Sequence, residues 1–104
     1  MTYDGKFLWN AGFGVGIRKI SKTGELVETI PSPGPQPEGL AFDGEYLWHS
    51  DIETNKIYKL DTSGKVICSY KSPSPHTNGL TFDGTYLWAI SPDGIFQIDI
   101  GANN

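Results

Sequence analysis

A single cysteine, Cys68, stands among the 104 residues, so no intrachain disulfide can form. It lies in the apolar-rich run Val66-Ile67-Cys68-Ser69-Tyr70, where a buried and inert thiol is expected. Basic residues are scarce as well: eight lysines and arginines against twelve acids leave a formal net charge of −4. Only Arg18, Lys19 and Lys22 stand near one another. Nucleic acids and anionic membrane surfaces both demand clustered cations, so neither class of partner is expected. No apolar run approaches the ~20 residues of a membrane-spanning helix. The opening Met1-Thr2-Tyr3-Asp4-Gly5 also lacks the basic and apolar regions of a signal peptide. A soluble, cytoplasmic chain is the expectation. Finally, no window carries the period of an amphipathic helix, while 13 glycines and 7 prolines supply turns in quantity. The composition is that of an all-β protein.

What the chain does have is an internal repeat. Leu40-Ala41-Phe42-Asp43-Gly44-Glu45-Tyr46-Leu47-Trp48 recurs as Leu80-Thr81-Phe82-Asp83-Gly84-Thr85-Tyr86-Leu87-Trp88. A third copy opens the chain as Tyr3-Asp4-Gly5-Lys6-Phe7-Leu8-Trp9, so that Trp9, Trp48 and Trp88 stand roughly 40 residues apart. The match continues downstream. Ile17-Arg18-Lys19-Ile20 corresponds to Ile57-Tyr58-Lys59-Leu60 and to Ile95-Phe96-Gln97-Ile98, and Thr23-Gly24 to Ser63-Gly64. The proline-rich run 31–35 corresponds to 71–75.

Each full repeat reads as four short antiparallel strands, in the middle copy Gly39–Phe42, Glu45–Ser50, Lys56–Leu60 and Val66–Tyr70. The Asp-Gly pairs at 43–44 and 83–84 predict tight hairpins in which both residues adopt positive φ. Four strands in about 40 residues is a β-propeller blade, with the proline-rich runs as stiff connectors between blades. Blade repeats are predicted over about 1–37, 38–77 and 78–104 of one domain, giving about two and a half to three blades. Propellers close with roughly four to eight blades, so a homo-oligomer is expected. Five blades would follow from two chains counted strictly. A six-bladed dimer is preferred, because each Trp-bearing hairpin can seed its own blade.

The stretch Glu38-Gly39-Leu40-Ala41-Phe42-Asp43-Gly44, with Tyr46-Leu47-Trp48-His49-Ser50-Asp51 and Asn55-Lys56-Ile57-Tyr58-Lys59-Leu60-Asp61, resembles a known blade type. It is the repeat of the propellers related to gluconolactonase and senescence marker protein, and it is similar to repeats of streptogramin lyase and the NHL proteins. In the gluconolactonase-like enzymes a Glu and Asn residues opening the innermost strands, together with an Asp, hold a divalent cation in the central channel. The resemblance carries that role to Glu38 and Asn78, which precede Gly39 and Gly79 at matching positions. The departures are that Leu40 replaces the expected proline and that no motif locates the Asp. In streptogramin lyase channel histidines do the work, and neither His49 nor His76 matches them by motif.

Calcium takes about six to eight oxygen ligands and magnesium a near-octahedral set, so two copies contributing Glu38 and Asn78 would leave water to complete the shell. His49, His76 and Asp51 are secondary candidates. The two histidines fit no metal-ligand spacing and are expected at the surface or in turns. Asp51, Asp61 and Asp99 follow strands and are expected to cap turns. Gly12-Phe13-Gly14-Val15-Gly16 precedes a strand rather than a helix, which makes it a hairpin loop and not a phosphate cradle. The leading functional expectation is a binding module holding a small ligand, with or without a cation, in its channel. A metal-dependent lactonase or esterase and a protein-interaction scaffold are the alternatives, since the fold does not choose among them.

Overall fold

The computed structural model describes residues 1–12 and 14–98. The first repeat forms β1 (Thr2–Tyr3), β2 (Leu8–Gly12), β3 (Gly16–Ile20) and β4 (Leu26–Ile30). The second forms β5 (Pro37–Phe42), β6 (Leu47–Asp51), β7 (Lys56–Leu60) and β8 (Val66–Lys71). The third forms β9 (Gly79–Phe82), β10 (Leu87–Ser91) and β11 (Gly94–Ile98). Each group is an antiparallel meander in chain order, so three blades follow one another, of four, four and three strands. No helix occurs among the described residues, and none is long and apolar enough to cross a membrane. The first blade gains a strand over a bare hairpin count, because Thr2 and Tyr3 pair with Trp9 and Leu8.

The Asp-Gly turns work differently from the expectation. Only the glycine takes positive φ: 97° at Gly5 and 103° at both Gly44 and Gly84. The aspartate contributes its carboxylate instead. Asp43 Oδ1 accepts the backbone N–H groups of Glu45 and Tyr46, at 2.9 and 2.7 Å, while Oδ2 accepts the Trp48 indole N–H at 2.7 Å. Asp4 does the same for Lys6, Phe7 and Trp9, and Asp83 for Thr85, Tyr86 and Trp88. This turn occupies residues 43–46, so β6 starts at Leu47 rather than at Glu45.

Alternation along β6 sends successive side chains to opposite faces of the middle blade. Leu40, Leu47, Tyr58 and Leu60 pack with Trp9, Ile17 and Ile30 of the first blade. On the other face Ala41, Trp48 and Ile57 pack with Leu80, Leu87 and Ala89 of the third. Two apolar seams therefore hold three blades together, and a tryptophan is sealed in each. The innermost strands β1, β5 and β9 lie side by side. Gly39 makes their approach close: a Cβ there would stand 2.8 Å from Leu80 N and 2.9 Å from Gly79 C.

Candidate functional site

A meander alternates its ends, so the connectors 31–36 and 72–78 share one end of the molecule with the loops 52–55 and 92–93. Glu38 and Asn78 open β5 and β9 at that end. Both are exposed, and they precede the two glycines at which the innermost strands pass. The backbone is irregular at each position. The β5–β6 register shifts between Pro37 and Leu40, and Asn78 N–H donates to Ile90 O at 3.0 Å. Two oxygen-bearing side chains thus leave the starts of adjacent innermost strands at this end of the molecule. Among the described residues no group of three or more His, Cys, Asp or Glu gathers to hold a metal ion. One chain supplies a pair of candidate ligands and no cage.

Asp51 is nearly inaccessible, at 1% exposure, and its carboxylate is fully used. Oδ2 accepts Gln36 N–H at 2.7 Å, and Oδ1 accepts Glu53 and Thr54 N–H at 3.0 and 2.9 Å. It caps the β6–β7 loop and ties the connector to it, with Gly34 against the carboxylate. Asp61 has the expected capping role too, accepting from Ser63 and Lys65 N–H at 2.9 Å each. Asp99 lies outside the described residues. In the glycine-rich loop Val15 N–H donates to Gly12 O at 3.2 Å, as a hairpin requires, while Phe13 lies outside the described residues.

His76 is exposed on the connector, with φ at 61°. His49 departs from the surface expectation: it is fully buried. Trp48 takes the face toward the third blade, so its neighbour in the strand must face the first. There the imidazole stacks on Tyr58, with ring centroids 5.0 Å apart and planes 19° apart. Nδ1 lies 3.3 Å from Ser50 O, and Nε2 has no hydrogen-bond partner. Burial holds its pKa below the usual value, against the opposing pull of the Ser50 backbone and of Asp51. Cys68 also differs from expectation. It is half-buried on the outermost strand β8, and its thiol donates to Tyr70 Oη at 3.5 Å.

Two arrangements escaped motif reading but are visible when the repeats are aligned. Arg18 donates from Nε and Nη2 to Asn10 Oδ1, at 3.1 and 2.6 Å, where the other blades have His49–Tyr58 and Ala89–Phe96. In the third blade Ser74 and Ser91 replace Gly34 and Asp51. Ser74 Oγ donates to Asp93 at 2.5 Å and accepts from Ser91 Oγ at 3.0 Å.

No protein-family model matches the chain, and no curated protein matches it. Solved structures do. The computationally designed Ika4 protein aligns with a TM-score of 0.72 at 14% identity, over 95% of this chain and 63% of that one. The β-propeller domain of Cps50 (Swd1) from Myceliophteria thermophila gives 0.62 at 14% identity, over 97% of this chain and 37% of that one. A virginiamycin B lyase from Staphylococcus aureus gives 0.58 at 26% identity, over 91% of this chain and 38% of that one. The chain therefore spans between 37% and 63% of the length of these structures. Its three meanders are successive blades of a β-propeller fold.

Proposed function

We propose that the chain is half of a closed six-bladed ring made with a second copy, and that the ring binds a small ligand at its channel mouth. The observation that carries this reading is the contrast among three equivalent tryptophans. Trp9 and Trp48 are completely buried, each by the blade that follows it, whereas Trp88 remains partly open on the last blade. A second copy is the cover that repeats the two seams already present. Closing the ring gathers two Glu38 and two Asn78 around one axis. These four side chains, completed by water, suit a hard divalent cation such as calcium or magnesium. The likeness to a lyase named for virginiamycin B supports a channel that receives a small molecule.

Two measurements test the reading. Sedimentation velocity at micromolar concentration should give twice the chain mass, and a single chain would overturn the ring. Thermal shift with calcium, magnesium, manganese and zinc should raise Tm for a hard cation, and Glu38→Ala should cancel the rise. No shift with any metal would remove the cation while leaving the ring to stand on its mass.

A further inference from the structure

The two outer faces of the chain differ in a way that identifies how copies join. On the third blade Ile95 is 69% exposed, although its counterparts Ile17 and Ile57 are buried in the internal seams. Ile90 and Trp88 share that open face. On the first blade Leu8 and Ile20 are half-buried, whereas Leu47 and Leu60 at the same positions are sealed against Trp9. Leu26 is not part of this contrast, because its counterpart Val66 stays exposed even in the middle blade. One bare face is thus the donor half of a seam, and the other is the acceptor half.

Arg18 is the departure from the pattern. The equivalent side chains, Tyr58 and Phe96, are aromatic and sit in the two internal seams. Here a guanidinium takes the position, held by its two hydrogen bonds to Asn10. A guanidinium is a flat plate like an aromatic ring, and it is attracted to an indole face. It also tolerates water before assembly, which an exposed phenyl group would not. We infer that two copies join head to tail, with Leu8 and Ile20 of one covering Trp88, Ile90 and Ile95 of the other. The Arg18 guanidinium enters the seam that covers Trp88, as Tyr58 and Phe96 enter the seams that bury Trp9 and Trp48, and marks this pair of faces as the one that joins. Because the seam is heterologous, two identical seams close a dimeric ring. The inference rests on the ring reading and adds its partner surfaces.

Arg18→Glu and Ile95→Lys each spoil one face and leave the other intact. Both side chains lie outside the buried cores, so each variant should keep the β-sheet circular dichroism of the parent. Sedimentation should show dimer association weakened at least about tenfold in each variant alone. An equimolar mixture should associate more tightly than either variant, because one undamaged seam remains between unlike chains. Arg18→Tyr, which copies Tyr58, should stay dimeric. A parent dimer undisturbed by Arg18→Glu would overturn the place of Arg18 in the seam while sparing the ring, and a mixture no tighter than its components would overturn the head-to-tail ring itself. A monomeric parent would overturn both.

Discussion

Each Asp-Gly turn concentrates three acceptor bonds on one carboxylate, and that carboxylate fixes the tryptophan five residues on. Asp43→Ala should therefore cost about 3 kcal/mol in urea denaturation, the sum of lost charge-assisted bonds less their replacement by water. Asp83→Ala should cost less in the dissociated chain, where Trp88 is only partly covered. Bonds to Tyr86, Trp88 and Thr85 hold the Asp83 carboxyl below its usual range. Such a depressed carboxylate stabilises the fold above pH about 4 and loses that contribution as pH falls through its folded value. His49 has the same sign for a different reason. Burial favours the neutral ring, so the unfolded chain binds the extra proton first. Stability should fall as pH drops below about 6.5, the unfolded value, and level off below the folded one. Urea midpoints at pH 7.5 and 5 should separate in the parent and draw closer in His49→Phe. An unchanged separation in that variant would place the effect elsewhere. None of this was legible from a histidine in isolation, because its burial depends on which face of β6 its neighbour Trp48 takes.

At the scale of elements the repeat made the blades readable. Strand bounds in the middle copy differ from the sequence reading only at their ends: β5 starts two residues early, at Pro37, and the Asp43 turn delays β6 by two, to Leu47. Loop roles were less accessible. Asp51 reads in sequence both as a turn cap and as a secondary ligand candidate; Glu53 and Thr54 meet the first reading, and only the path of the connector shows that Gln36 takes the remaining oxygen. The third blade solves the same joint with serines. Its Ser74 stands where Gly34 must leave room for the Asp51 carboxylate. Gly34→Ser should therefore destabilise by about 2 kcal/mol through overpacking. Adding Asp51→Ser should recover part of that loss, with a coupling of about 1 kcal/mol in a double-mutant cycle. Strictly additive losses would mean that the two positions do not share space.

For the whole molecule the decisive quantity is the partner surface, which no residue pattern displays until the blades are stacked. Alternation along each strand predicts which side chains leave a blade, but only packing shows which faces already have a neighbour. Leu47 and Leu8 hold the same repeat position, each just before a tryptophan, and differ in burial because one lies on a face that a neighbouring blade covers and the other does not. If a second copy provides the missing cover, association is linked to folding, and stability must depend on protein concentration. Each tenfold dilution removes about 1.4 kcal/mol from such a dimer, which lowers Tm by about 3–6 °C for a ring of this size. Scanning the parent across two decades of concentration should reveal that slope. Ile95→Lys should melt lower and with a shallower dependence, because the seam that dilution would remove is already weakened. A parent whose Tm ignores concentration would mean that the three blades stand by themselves with Trp88 facing water.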